Sequence, residues 1–126
     1  MYPMFRKTVE ALIKKYGNMS LEQFYRLQSK IIKIKKDGYL DFVIEKAGSM
    51  LYVGYYRQEN GDLISDPIFV FEIRERKWHP IRLEQVFGDT PIGMFEHGRY
   101  LYYPGRFQDV KSFATLCSKE WRQYYL

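Results

Sequence analysis

Apolar positions change their period twice along the chain, dividing it into helical ends and an extended middle. Met4, Phe5, Val9, Leu12, Ile13 and Tyr16 recur at helical spacing. Pro3 suits a first-turn position and Gly17 a stop, so the pattern predicts a helix over 3–16. Ser20-Leu21-Glu22-Gln23 has capping-box form and opens a second helix with Leu21, Phe24, Leu27 and Ile31 as its stripe. The run Lys30-Ile31-Ile32-Lys33-Ile34-Lys35-Lys36 fits either the end of that helix or a basic strand. Here the helix is carried to residue 33.

From Leu40 the period becomes two, with Leu40, Phe42 and Ile44 alternating with Asp41, Val43 and Glu45. Ala47-Gly48-Ser49 turns the chain into a strand over 50–58, placing Lys46 opposite Met50, Ile44 opposite Tyr52 and Phe42 opposite Gly54. Asn60-Gly61 is a strong hairpin signal, because a type I′ turn requires positive φ at both central residues. A turn there sets Glu59 opposite Asp62, Gly54 opposite Pro67, Tyr52 opposite Phe69 and Met50 opposite Phe71. Both registers predict one apolar face of Leu40, Phe42, Ile44, Met50, Tyr52, Tyr56, Phe69, Phe71 and Ile73.

After a charged loop at Glu75-Arg76-Lys77, 78–84 returns as a strand with Ile81 and Leu83 inward. Gly88–Pro91 reads as a loop. Ile92–Glu96 and Arg99–Tyr103 form a hairpin about His97-Gly98, with Met94 opposite Leu101. Pro104-Gly105 breaks the chain. A last helix over 107–125 turns Phe107, Val110, Phe113, Ala114, Cys117, Trp121 and Tyr124 inward, with Lys111, Ser118 and Arg122 outward. The expected fold is α+β: an antiparallel meander sheet of five to six strands with two N-terminal helices and one C-terminal helix. It forms a single domain over 1–126, comprising a basic helical segment (1–38), the sheet (39–103) and the C-terminal helix (107–125).

Twelve Tyr, nine Phe and two Trp make 18% of the chain aromatic, which predicts a ring-dominated core whose hydroxyls find partners at its margin. One cysteine, Cys117, excludes an internal disulfide and favours a reducing setting. No apolar run approaches the roughly 20 residues of a membrane span, and Met1–Lys7 lacks the order of a secretory signal. The expectation is an intracellular or virion protein, neither secreted nor membrane-spanning. Only two Asn among many Lys, Arg, Glu, Ile and Tyr suit a thermophilic origin, with melting above about 70 °C as the expected mark.

The net charge of +5 is unevenly placed. Residues 1–38 hold nine basic residues against three acidic, whereas the other 88 hold eleven against twelve. The opening segment is therefore the candidate face for an acidic partner, DNA or RNA, through Lys14, Lys15, Arg26, Lys30, Lys33, Lys35 and Lys36. A helix–turn–helix over 3–33 would add Gln23 and Gln28 as contacts. Tyr55, Tyr100 and Tyr102 are candidate stacking platforms.

Catalytic patterns are weak by comparison. Asp66, Glu75 and Lys77 loosely match the Asp…Glu-x-Lys pattern of metal-dependent nucleases, but the register places the latter two in a hairpin loop far from Asp66. Asn60, Asp62 and Asp66 lack calcium-loop spacing. His79 and His97 have no ligand-spaced companion, so no metal or cofactor is expected. Cys117 falls on a buried stripe, where an inert thiol is the default. The protein is expected to act by binding, not catalysis.

Tyr56-x-Gln58-x-Asn60-Gly61-Asp62-Leu63-x-x-Asp66-Pro67, then Phe71 and Trp78-x-Pro80, resembles a small domain of unknown function in bacterial plasmid and phage proteins. The match covers 55–95 and departs from that domain at Glu59 and in the basic opening. It implies mobile-element ancestry and supplies no catalytic residue. Overall character also resembles the small orphan proteins of viruses that infect hyperthermophilic archaea, the globuloviruses in particular. Nucleic-acid binding is thus the first expectation. A viral interaction or structural protein, homodimeric or bound to a host or viral protein, is the second, and a metal-dependent nuclease a distant third.

Overall fold

The computed structural model describes residues 1–36 and 40–126, and the backbone alone for 57–59 and 62–66. Its elements are α1 (Pro3–Tyr16), α2 (Leu21–Arg26), β1 (Ser29–Ile34), β2 (Phe42–Ala47), β3 (Met50–Glu59), β4 (Asp62–Arg74), β5 (Lys77–Gln85), β6 (Gly88–Pro91), β7 (Gly93–Glu96), β8 (Arg99–Tyr102) and α3 (Pro104–Tyr125). Strands β1 to β6 form one antiparallel sheet in chain order, and β7 pairs with β8 apart from it. The α+β expectation holds.

Helix α1 has its expected bounds, with Pro3 in the first turn and the Gly17 amide donating to the Ile13 carbonyl at 2.8 Å. The capping box of α2 is formed: the Gln23 amide donates to Ser20 Oγ at 3.1 Å and the Ser20 amide to Gln23 Oε1 at 2.9 Å. That helix stops at Arg26, not at residue 33. Ile31, Ile32 and Ile34 are β-branched and fit a pleated strand better than a helix interior. Pairing with β2 from Ser29 to Ile34 satisfies one edge of that run, so the opening segment is only partly helical. Of the expected α2 stripe, Phe24 alone is buried, and Ile31 is 55% exposed.

The first hairpin register differs from expectation by one residue throughout, the second only beyond a bulge. The first turn holds two residues, Gly48 and Ser49, so Ala47 pairs with Met50, Ile44 with Val53 and Phe42 with Tyr55. Gly48 has φ 60, as a type II′ turn requires at its first position. The second turn lies at Asn60-Gly61 (φ 54 and 85), and Glu59 pairs with Asp62 as predicted. A bulge between Tyr56 and Gly54 then adds one residue to β4, so Gly54 pairs with Ile68, Val53 with Phe69 and Leu51 with Phe71. The core side of β3 is therefore Leu51, Val53 and Tyr55, while Met50 and Tyr52 face outward. Two errors in the same direction kept the predicted faces mutually consistent.

A second bulge, between Val70 and Phe71, leaves Ile81 as the extra residue on β5 and turns Trp78, Pro80 and Leu83 inward. Gly88–Pro91 is a strand and not a loop, and Pro104 opens α3 instead of breaking the chain. On α3 the buried set is Val110, Ala114, Cys117, Ser118, Trp121 and Tyr125. Ser118, expected outward, is fully buried, whereas Phe107, Phe113 and Tyr124 are only partly so. The β7–β8 hairpin matches expectation, with Met94 opposite Leu101 and a His97-Gly98 turn at φ 52 and 75.

Helices α1 and α3 cover the same face of the sheet. Trp121 centres the core, with ring centroids 4.6 Å from Phe42, 5.3 Å from Phe5 and 6.1 Å from Phe69. These ring contacts join both helices to β2 and β4.

Candidate nucleic-acid interface

Two contacts fix the direction of the helices that frame this site. At one end the Tyr2 hydroxyl donates to the Phe107 carbonyl at 2.8 Å. At the other, Lys15 Nζ and the Tyr16 hydroxyl donate to the Tyr125 carbonyl at 2.8 and 2.7 Å. Hence α1 and α3 run parallel, and their C-termini lie together. Side-by-side parallel helices gather unsatisfied carbonyls and partial negative charge at one end. The basic residues of the opening segment meet that charge: Lys36 Nζ donates to the Tyr124 carbonyl at 2.5 Å and sits 5.7 Å from the Tyr124 ring centroid.

The seven candidate residues are not equivalent. Lys14, Lys15, Lys33, Lys35 and Lys36 are exposed. Lys14 and Lys15 occupy the last turn of α1, and Lys35 and Lys36 follow the end of β1. Lys33 alternates with the inward Ile32 and Ile34, which puts it on the outer face of the same edge strand. Together these five wrap one edge of the sheet. No described carboxylate lies within ion-pair distance of Lys14, Lys15, Lys33 or Lys35. Lys30 is half-buried beside Lys46 on β2. Arg26 sits at the opposite end of β1 and pairs with Glu22 at 3.6 Å.

The helix–turn–helix expectation does not fit this geometry. The second helix has six residues, a length of roughly 9 Å, and its Gln23 side chain is committed to the cap.

A family model for a domain of unknown function (DUF6908) matches residues 7–123. The chain belongs to the DUF6908 family. No curated protein and no solved structure matches it. The family match runs from the first turns of α1 into the last turn of α3. The basic edge is therefore part of the DUF6908 unit rather than an appendage to the hairpin of 55–95.

Other candidates of this DUF6908 chain fall into structural roles. The Tyr55 hydroxyl lies 3.1 Å from that of Tyr125, and Tyr100 is packed against His79 and donates to the Pro80 carbonyl at 2.5 Å. Of the three proposed platforms only Tyr102 is exposed, at 50%. His79 is buried between Phe95 and Tyr100, with centroids 4.8 and 5.0 Å away. Burial pushes the Cys117 thiol up to about 12, with a smaller contribution from Glu120. Among the described residues no group of three or more His, Cys, Asp or Glu could hold a metal.

Glu75 lies in the exposed β4–β5 turn, and Asp66 precedes it by nine residues of strand, on the order of 25 Å. One metal ion cannot bridge such a span. The side chains of Asp62 and Asp66, and with them the cation reading, lie outside the described residues.

One site escaped sequence reasoning altogether. Lys46 is buried on the core side of β2 and donates to the carbonyls of Leu27 (2.5 Å) and Gly48 (2.8 Å). It ties the exit of α2 to the β2–β3 turn, and burial lowers its pKa. Alternation alone could have flagged it, because Lys46 shares parity with Phe42 and Ile44.

Proposed function

We propose that this protein binds nucleic acid through the lysine-wrapped edge of its sheet, using Lys14, Lys15, Lys33, Lys35 and Lys36. The observation that carries the reading is the exposure of these five side chains around one edge strand, with no described carboxylate at ion-pair distance from four of them. Use at the C-terminus of α3 leaves most of the charge of Lys15 uncompensated, since helix ends carry about half a unit charge each. A phosphate backbone following β1 would meet Lys33 and Lys35 first, then Lys14 and Lys15 across the helix layer. Contacts of this kind position a backbone without reading sequence.

The resemblance of the hairpin to a domain of plasmid and phage proteins supports the same reading, because such elements are themselves nucleic acid. A mobility shift with duplex and single-stranded oligonucleotides tests it. Retarded complexes at low salt that vanish as salt rises are expected. Absence of any complex at about 50 mM salt would remove the reading.

A further inference from the structure

At the end of the molecule remote from the basic edge, the chain presents an apolar knob and an apolar hole. Phe87 tops the two-residue β5–β6 turn with 102% relative exposure, touching nothing in its own chain. A fully solvated benzyl group at a turn position has no folding role, since a polar residue would serve the turn equally well.

The hole is a cleft of about 380 Å³ bounded by Pro91, Gly93, Met94, Leu101, Tyr102 and Tyr103. The β7–β8 hairpin creates it. Phe95 and Tyr100 turn towards His79, which leaves Met94 and Leu101 on the opposite side, 56% and 46% exposed. A cavity of about 150 Å³ already accepts a benzene ring, so a phenyl group fits this cleft with room to spare.

The geometry points to a second copy of this chain as the occupant, Phe87 of each copy filling the Met94–Leu101–Tyr103 cleft of the other. Charge supports the match. Asp89 lies two residues beyond the knob, is exposed, and has no described cation within ion-pair distance. Arg106 stands at the rim of the hole, 4.3 Å over the Tyr103 ring and bonded to the Pro91 carbonyl at 3.1 Å, with no carboxylate partner among the described residues. Knob into hole thus brings Asp89 of one copy towards Arg106 of the next. Tyr, Met and Arg are also the residue types enriched at protein interfaces.

Reciprocal exchange gives a two-fold dimer. Its contact lies near the start of α3, roughly 33 Å of helix away from the basic edge, so both basic edges stay open.

Sedimentation of the purified chain, without nucleic acid, from about 1 to 100 µM tests this independently of the proposed function. Wild type is expected to form dimers in that range. Phe87→Glu and Leu101→Glu, both at exposed positions, are each expected to sediment as monomers. Unchanged circular dichroism of both variants confirms folding. Two results overturn the proposal: monomeric wild type throughout, which would leave the cleft to a foreign protein, or dimerisation of folded Phe87→Glu or Leu101→Glu at wild-type concentrations.

Discussion

At the residue scale, Gly54 holds the sheet to its shape. Its φ is 149, and a Cβ there would fall 2.0 Å from the Pro67 carbonyl oxygen. That contact is with backbone, so nothing nearby can move aside cheaply. Gly54→Ala is expected to lose about 3 kcal/mol in urea denaturation, from strain and overlap together; a loss under about 1 kcal/mol would mean that β3 and β4 separate easily. Cys117 gives a second test at this scale. With its thiol raised to about 12 by burial, it should react with a disulfide reagent at pH 8 only after denaturation. Fast labelling of the native chain would contradict the packing of α3.

Some residue roles could be inferred from sequence alone. Asn60-Gly61 announces its own turn because few residues tolerate positive φ. The one-residue slips at Gly48-Ser49 and at the Pro67 bulge left no such mark. Alternation in Met50-Leu51-Tyr52-Val53 puts an apolar or aromatic side chain on either face, so pattern alone does not choose between registers.

At the element scale, the parallel setting of α1 and α3 gives the basic opening segment a structural duty. Lys15 and Lys36 reach carbonyls at the end of α3, whereas Lys14 and Lys35 do not. Lys15→Met and Lys36→Met are each expected to destabilise by about 0.5 kcal/mol in thermal unfolding, and Lys14→Met and Lys35→Met by less. Equal effects at all four positions would show that general charge, not helix capping, is responsible. The direction of α3 relative to α1 could not be read from sequence, because it depends on an eight-strand path between them. Helix α2 stops short of its expected end for a related reason: Lys30–Lys36 carries both periods, and the free edge of β2 decides between them.

At the scale of the whole molecule, the aromatic core makes stability sensitive to alkali. Burial raises the hydroxyls of Tyr2, Tyr55 and Tyr100 well above 10, and those of Tyr25 and Tyr56 to about 12. In the unfolded chain these groups ionise near 10. Above that pH the unfolded state has fewer bound protons than the native one, so stability falls as pH rises. Cys117 acts in the same sense, and Lys46 in the other. Melting temperature should therefore drop steadily from about pH 10 towards 12, where of these five only Tyr25 and Tyr56 begin to titrate in the native state; a flat profile would contradict the burial of their hydroxyls.

The charge imbalance between the first 38 residues and the rest signalled the basic edge directly. Its shape came only with the fold, which moved Arg26 to the far end of β1 and divided the lysines into those that cap α3 and those with no partner among the described residues. That division makes Lys14/Lys33/Lys35→Glu the informative variant, since none of the three side chains caps α3. The decisive measurement is fluorescence anisotropy of a labelled oligonucleotide titrated with wild type and with this triple variant at about 50 and 200 mM salt. For about four phosphate contacts, wild-type affinity should fall roughly 100-fold between the two salts. The triple variant should stay folded, melting slightly below wild type because Lys14→Glu puts a carboxylate in the last turn of α1, and should bind undetectably at either salt. Wild-type affinity in the folded triple variant, or no binding by wild type at the lower salt, would contradict the account.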